Sequence, residues 1–496
     1  MTDRSHDWVV MTTLGEPMAQ RSWLGKLALL GAVLSLVATA CGASPRVVRE
    51  VQARDSARLP ADAQALGGTN GGSALGSGAN GQDTTAGTGG SGSVTASTVA
   101  GAATGPAAPS ATKAAATAGA CGAQAPAGGN GGTTDTGVSS TAIKIGATFF
   151  NGNYLDKYSQ VTENAVKAYF QYVNDQGGIC GRRIDLVTCD TAGTADGTKG
   201  CLSKLADQDR VFLMGPSLDF NLNIVQGTLE SHKLPWVGDS GLYAEEFHSP
   251  WMFPTQLNGQ DVGGLIATYA GQTLHTKKAG ISYLNDVAGP GCTKRAQEAA
   301  KALGFDASTT ASNGQVETGL DSQVSTLRNA GVDSVLFCND PVNTIKFIQA
   351  AQRVGWKPTF VGGFVAADDV PQAAGSYGAG MYGFTAYDFY KSNTPGIQQY
   401  RAITENYYPN TFHHFYEQAA YIGAEAVVAA IRATGPNLTR TAFLTALKKM
   451  SDFDTGMGLH VNFANIGSPQ LSSGLMLKAD QNLNWQVTSA RFKPAA

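Results

Sequence analysis

From Thr141 onward the chain alternates between two hydrophobic rhythms. Short apolar runs such as Ile143-Lys144-Ile145-Gly146-Ala147-Thr148 read as strands. Longer stretches carry apolar residues three and four apart: within 161–173 these are Val161, Ala165, Val166, Ala168, Tyr169 and Tyr172, and Gly177-Gly178 ends the helix they predict. A strand over 184–188 follows, then a helix near 198–208, a strand over 211–214 broken by Gly215-Pro216, a further helix, and a strand at Pro235-Trp236-Val237. Strands separated by helices in this way predict a parallel sheet covered on both faces. The rhythm restarts near Asp261: helices over 265–274, 293–303, 322–330 and 344–354 are interspersed with strands over 279–284, 334–337 and 359–363. Two long helices at 396–407 and 415–433 come next, and strand-like pieces at 458–463, 474–478 and 485–491 close the chain.

This patterned segment of about 355 residues exceeds what one hydrophobic core usually serves, so two lobes are expected. The breaks in the pattern assign 140–256 and 386–455 to lobe one, and 257–385 and 456–496 to lobe two. Three crossings between them are expected, near 255–259, 383–387 and 454–458.

Upstream the picture changes. From residue 42 to about 139 the chain is dominated by Gly, Ala, Ser and Thr, with no periodic apolar face. Such a segment cannot bury enough surface to offset chain entropy, and 41–139 therefore reads as a disordered tether with a mean reach on the order of 55 Å. It is an inert spacer or a glycosylated Ser/Thr stalk. Ahead of it, Arg21 and Lys26 precede an apolar run from Leu27 that ends in Ala38-Thr39-Ala40. A charged start, an apolar core too short to span a bilayer and a small-residue cleavage site predict a signal peptide over 1–40. With Cys41 directly behind, the ending resembles the lipobox of bacterial lipoproteins, although Ala38 stands where Leu is usual. The resemblance implies that Cys41 becomes the lipidated first residue, anchoring the protein at the extracytoplasmic face of a bacterial cell membrane. The alternative is an ordinary secretory signal.

Composition narrows the function classes. A formal net charge of −3 and a pI near 6.2 leave no electrostatic footprint for nucleic acid. No Cys-x-x-Cys, phosphate loop or nucleophile elbow is present. Gly238-Asp239-Ser240-Gly241 matches the nucleophile motif of chymotrypsin-type proteases, but Leu242 replaces the next Gly and that fold is all-β. His413-His414 with Glu417 lacks the spacing of a metal-binding helix face, so capping or solvent-facing histidines are expected. Neither an enzyme nor a metal or cofactor site is predicted.

Ile143-Lys144-Ile145-Gly146, the helix ending Asn174-Asp175-Gln176-Gly177-Gly178-Ile179, then Gly181-Arg182-Arg183-Ile184, Cys189-Asp190 and Gly215-Pro216-Ser217 together resemble type I periplasmic binding proteins. Among these the chain is most similar to the leucine/isoleucine/valine-binding proteins of ABC importers. The resemblance implies an α/β fold of two doubly wound parallel-sheet lobes joined by a three-strand hinge. It also implies a monomer that captures a small polar or amino-acid-like ligand by lobe closure and delivers it to ABC permease subunits. A sensing receptor of the same fold, coupled to a signalling partner, is the alternative.

In open α/β sheets the ligand sits beyond the carboxyl ends of the strands, and two such edges facing across a hinge form a closing cleft. In lobe one the candidate ligand-binding residues are Phe150, Asn151 and Tyr154, then Ser217, then Asp239, Ser240 and Tyr243. Relatives use a Ser at the position of Ser217 to hold a carboxylate. Asp239 departs from their pattern, since an acid there either receives an ammonium or repels a carboxylate. In lobe two the candidates are Asp286, Asn339, Asp340 and Phe364, with Tyr387 in the crossover. Amino-acid binders place a Tyr and an acid where this chain has Ala288 and Gly363 or Phe364, which argues against a standard branched-chain amino acid.

Setting Cys41 aside leaves six of the seven cysteines. An even number in an exported chain predicts three disulfides, with fifteen pairings open, or else free buried thiols. Local geometry favours Cys189–Cys201. Cys292 and Cys338 both follow lobe-two strands, and Cys121–Cys180 would then pin the end of the tether.

Overall fold

The computed structural model describes residues 121–464 apart from Ser240 and Val287, and residues 473–495. The expected signal peptide, Cys41, most of the tether and the candidate Ser240 lie outside the described residues.

The first half builds one sheet. β1 (Ala142–Phe149), α1 (Asp156–Asp175), β2 (Arg183–Asp190), α2 (Ala195–Ser203), β3 (Leu213–Met214), α3 (Gln226–His232), β4 (Trp236–Val237) and β5 (Met252–Phe253) follow in order. The strands lie in the order β2-β1-β3-β4-β5 and every pair is parallel. Ile145, Ala147 and Phe149 on one face of β1 and Gly146 and Thr148 on the other are all buried, as a central strand covered on both faces requires.

The second sheet is fed by α4 (Gly259–Gln272), β6 (Lys278–Leu284), α5 (Gly289–Ala302), β7 (Asp306–Asn313), α6 (Asp321–Asn329), β8 (Ser334–Cys338), α7 (Pro341–Arg353), β9 (Thr359–Gly362), α8 (Asp369–Ala373) and β10 (Tyr382–Thr385). The chain then returns to the first lobe through α9 (Pro395–Tyr407), α10 (Phe415–Thr434) and α11 (Arg440–Leu447). Tyr421 of α10 meets Tyr169 of α1 edge-on at 5.0 Å, and Phe443 of α11 meets Phe212 at 5.7 Å. The last strands are β11 (Phe453–Asp454), β12 (His460–Val461), β13 (Leu475–Ala479) and β14 (Trp485–Val487). The second sheet runs β14-β13-β10-β9-β8-β6-β7, parallel from β6 to β10, with β13 and β14 added antiparallel.

Three features differ from the pattern-based expectation. β7 has the sequence Asp-Ala-Ser-Thr-Thr-Ala-Ser-Asn, in which Ala307 and Ala311 are its only apolar side chains, so no apolar run marks it. It is an edge strand and needs little burial. The piece expected at 458–463 does not enter the second sheet. Its β12 pairs with β11 in a ribbon of its own, and Phe463 faces Phe253 at 6.5 Å, so the return to the second sheet comes with β13.

The third difference concerns the tether, expected to run to residue 139. Residues 121–139 are instead laid onto the first lobe. Cys121 N–H donates to Arg432 O, and Cys180 and Gly181 N–H donate to Gly122 and Ala123 carbonyls. The buried Arg182 guanidinium donates to the carbonyls of Ser139 (2.7 Å), Pro436 (3.1 Å), Gly132 (3.0 Å) and Asn130. A Gly-rich arm without apolar periodicity is thus ordered by polar partners supplied from elsewhere in the fold. The expected disulfides Cys121–Cys180, Cys189–Cys201 and Cys292–Cys338 are formed, with Cα separations of 5.1, 5.6 and 5.8 Å. Among the described residues no helix is long and apolar enough to cross a membrane.

Candidate functional site

The loops after β3 and β4 in the first lobe, with the start of α10, face the loops after β6, β8 and β9 in the second. Between them lies a cavity of about 370 Å³, mouth included. Phe220, Leu242 and Tyr416 form its first-lobe wall, and Asp286, Asn339, Asp340 and Phe364 its second-lobe wall. A neighbouring cavity of about 330 Å³ sits against the lobe crossings, lined by Gln256, Leu257, Phe384, Tyr387 and Phe415, and shares Phe364 with the first. No lysine or arginine lines either cavity among the described residues.

Local sequence fixes the polar groups. Asp340 precedes Pro341 and is the N-cap of α7: its carboxylate accepts the Asn343 N–H at 2.9 Å and the Asn343 side-chain amide at 2.6 Å. Asp286 does the same at the start of α5, accepting from the Ala288 and Gly289 N–H groups at 3.0 and 2.8 Å. Asn339 is held by Ser282 (3.2 Å) and by Asn313 (2.6 Å). In the first lobe Gly238, with φ of 83°, brings the loop after β4 against α10. A Cβ there would lie 2.9 Å from the Gly423 Cα, so glycine is required at both positions.

Burial raises the pKa of Asp340 to about 6 despite its bonds to Asn343, and burial also raises that of Asp286. Two phenols from the first lobe face these acids. Burial and then Asp340 push the Tyr154 hydroxyl up, and burial followed by Asp340 and Asp286 does so for Tyr416. The Tyr154 hydroxyl is buried and makes no hydrogen bond of good geometry. The arrangement is a small aromatic-walled chamber whose polar end is two carboxyl groups and two phenols. Its chemistry suits recognition of a solute, and no nucleophile–base pair lines it among the described residues.

The predicted residues divide into two groups. Asp286, Asn339, Asp340, Phe364 and Tyr387 line the cavities, and Tyr154 faces Asp340 without lining either of them. Phe150, Asn151, Ser217, Asp239 and Tyr243 line neither cavity. Phe150 is buried with its ring 4.8 Å from that of Phe220, and Asn151 donates to Glu163 at 3.1 Å. Tyr243 is buried, its N–H donating to Glu246 at 3.1 Å. Asp239 is fully buried and faces Glu246. Burial first, then Glu246, raise the pKa of Asp239 far above the usual carboxylate range, and burial raises that of Glu246 as well, so the two titrate as a pair. The Ser217 hydroxyl is turned inward, accepting the Thr148 N–H at 3.0 Å and donating to Gly215 O at 3.1 Å. Phe220, Leu242, Phe415 and Tyr416 had no counterpart among the sequence candidates. Tyr416 had a signal available, because it lies in the first turn of a long helix, directly after His413-His414.

Residues 142–475 match the family profile described as periplasmic binding protein. The Leu/Ile/Val-binding protein homolog 7 of Brucella abortus (strain 2308) is 21% identical over 369 residues, covering 69% of this chain and 86% of its own length. A fatty acid ABC transporter substrate-binding protein from Thermomonospora curvata superposes with a TM-score of 0.68 at 21% identity, over 75% of this chain and 96% of its own. A branched chain amino acid ABC transporter from Thermus thermophilus with bound valine gives 0.64 at 16% identity, over 72% of this chain and 97% of its own.

Proposed function

Because this chain belongs to the periplasmic binding protein family, a solute-binding and non-enzymatic family of extracytoplasmic location, we propose that it captures a small solute between its lobes and delivers it to the permease of an ABC transporter. The observation that carries this reading is the cavity itself, which neither lobe can form alone. Phe220, Leu242 and Tyr416 come from one lobe, and Asp286, Asn339, Asp340 and Phe364 from the other. A solute touching both walls stabilises only the closed arrangement, and that differential contact is what drives closure. Similarity to substrate-binding proteins of fatty acid and branched chain amino acid transporters supports the same reading.

The solute places an apolar body against Phe220, Leu242, Phe364 and Tyr387 and a polar group toward Asp286, Asn339, Asp340 and Tyr154. Phe150, Asn151, Ser217, Asp239 and Tyr243 support those walls. A thermal-shift screen followed by small-angle scattering tests this: a solute that raises the melting temperature also reduces the radius of gyration. Tight binding with no compaction refutes capture by closure. Anchoring through Cys41 is part of the proposal, and Cys41→Ser should release the protein from the membrane fraction. Retention of that variant refutes the anchor.

A further inference from the structure

The electrostatics of the cleft select among solutes. Resting on the reading that the cleft holds a solute, we propose that its ligand is an amine without a carboxylate, a monocation with an apolar body. In such folds an anionic group is received by helix N-termini and by free hydroxyl or N–H groups beyond the strands. In the second lobe both helix starts that line the cavity are already occupied. Asp286 takes the Ala288 and Gly289 N–H groups of α5, and Asp340 takes the Asn343 N–H of α7. A ligand carboxylate placed there would displace nothing and would face two carboxyl groups.

Among its described residues the first lobe offers no substitute. The Ser217 hydroxyl is closed on Thr148 and Gly215, and the loop after β4 carries the buried Asp239 and Glu246. No cationic side chain lines the cavity to offset these acids.

An ammonium group finds the converse. Two carboxyl groups converge on the cavity, and the buried Tyr154 hydroxyl of the first lobe faces Asp340. Ionised carboxylates accept hydrogen bonds and donate none, so the group that completes them is a donor. The rings of Phe220, Phe364 and Tyr416 supply faces that attract a cation and cover an alkyl or aryl body.

The full chain is titrated calorimetrically with two matched sets: 3-methylbutylamine, L-leucine and 4-methylpentanoate, then 2-phenylethylamine, L-phenylalanine and 3-phenylpropanoate. The expected result is that the amine of at least one set binds about tenfold or more tightly than its amino acid and its acid. Asp340→Asn and Asp286→Asn should each weaken amine binding by about tenfold, since Asn caps a helix as well as Asp and leaves the fold in place. Amine binding should also weaken as pH falls from 7.5 to 5. Equal or tighter binding of an amino acid or carboxylate overturns the proposal while solute capture stands. Silence from all six probes overturns it too, and capture itself falls only if a broad screen also finds nothing. Undiminished amine binding by the doubly substituted protein overturns it even where an amine binds.

Discussion

Replacing Ser217 by alanine separates two roles for the most suggestive hydroxyl in the sequence. The side chain is buried, and its oxygen accepts the N–H of Thr148, itself fully buried, at 3.0 Å while donating to Gly215 O at 3.1 Å. Alanine removes that acceptor, and the space vacated is too small for a water to replace it. The Thr148 N–H is left buried and unsatisfied, which costs about 1–3 kcal/mol. Gly215 O loses one donor, a smaller loss because a carbonyl tolerates under-satisfaction better than an N–H. Ser217 does not line the cavity, so solute affinity should stay within about twofold. Urea unfolding reads the first quantity, as a lower midpoint at unchanged slope. Calorimetric titration with a solute retrieved by the screen reads the second. An unchanged midpoint together with an affinity loss of about tenfold would show that the hydroxyl is free and holds the solute, and the inward assignment would fall.

Three further outcomes follow from the same geometry. Asp340, at about 6 against an ordinary value of 3.8, keeps its proton in the folded state after the unfolded chain has lost it, so it removes about 3 kcal/mol of stability as pH rises from about 4 to about 6; Asp340→Asn should therefore raise the melting temperature at pH 7.5 and change it little at pH 4, and equal shifts at both would contradict this. Deleting residues 42–120 should leave the melting temperature of the domain unchanged, whereas Arg182→Met, which strips four carbonyls of their donor, should lower it by several degrees; a variant as stable as the parent would show the arm to be unimportant. Asp369 of α8 accepts the Tyr158 hydroxyl at 3.0 Å and pairs with Lys157 of α1, so Asp369→Ala should increase the radius of gyration of the ligand-free protein, and an unchanged scattering profile would remove this contact from the account of closure.

What the sequence could show was whatever repeats with the period of a helix or a buried strand. The central strands β1, β6, β8 and β9 are apolar runs covered on both faces, and each was legible. β7 was not, because an edge strand of Ser and Thr carries no such run. The arm 121–139 escaped for a related reason: its partners, among them Arg182, Cys180, Arg432 and Arg440, lie about fifty to three hundred residues further on. Of the candidate site, the residues read directly as strand-end acids and aromatics, Asp286, Asp340 and Phe364, do line the cavity. Ser217 follows a strand in the same way, yet its hydroxyl points inward, and the position of a residue after a strand does not fix its rotamer. Phe220 lies further along its loop and Tyr416 in the first turn of α10, where only the packing of one lobe on the other brings them to the cavity.

The two adjacent histidines show how closely that packing is tied to the site. His414 is buried and its Nδ1 accepts the N–H groups of Tyr416 and Glu417 at 3.2 and 3.4 Å, capping α10. Burial and then the neighbouring His413 hold its pKa near 3, so it stays neutral and remains an acceptor. Burial works against charge on His413 as well, but the carboxylates of Glu417 and Glu405 outweigh it and raise its pKa. The backbone of the same segment runs antiparallel to the loop after β9: His414 bridges Ala367, and the Phe415 N–H donates to Ala366 O at 3.2 Å. Two residues past the cap, Tyr416 projects toward Asp340 and Asp286. The helix start that delivers a phenol from the first lobe is therefore positioned by the strand-like contact that joins it to the second. Opening the lobes at this contact would withdraw Tyr416 from the acids in the same motion, so the cavity exists as a binding site only while the lobes are closed.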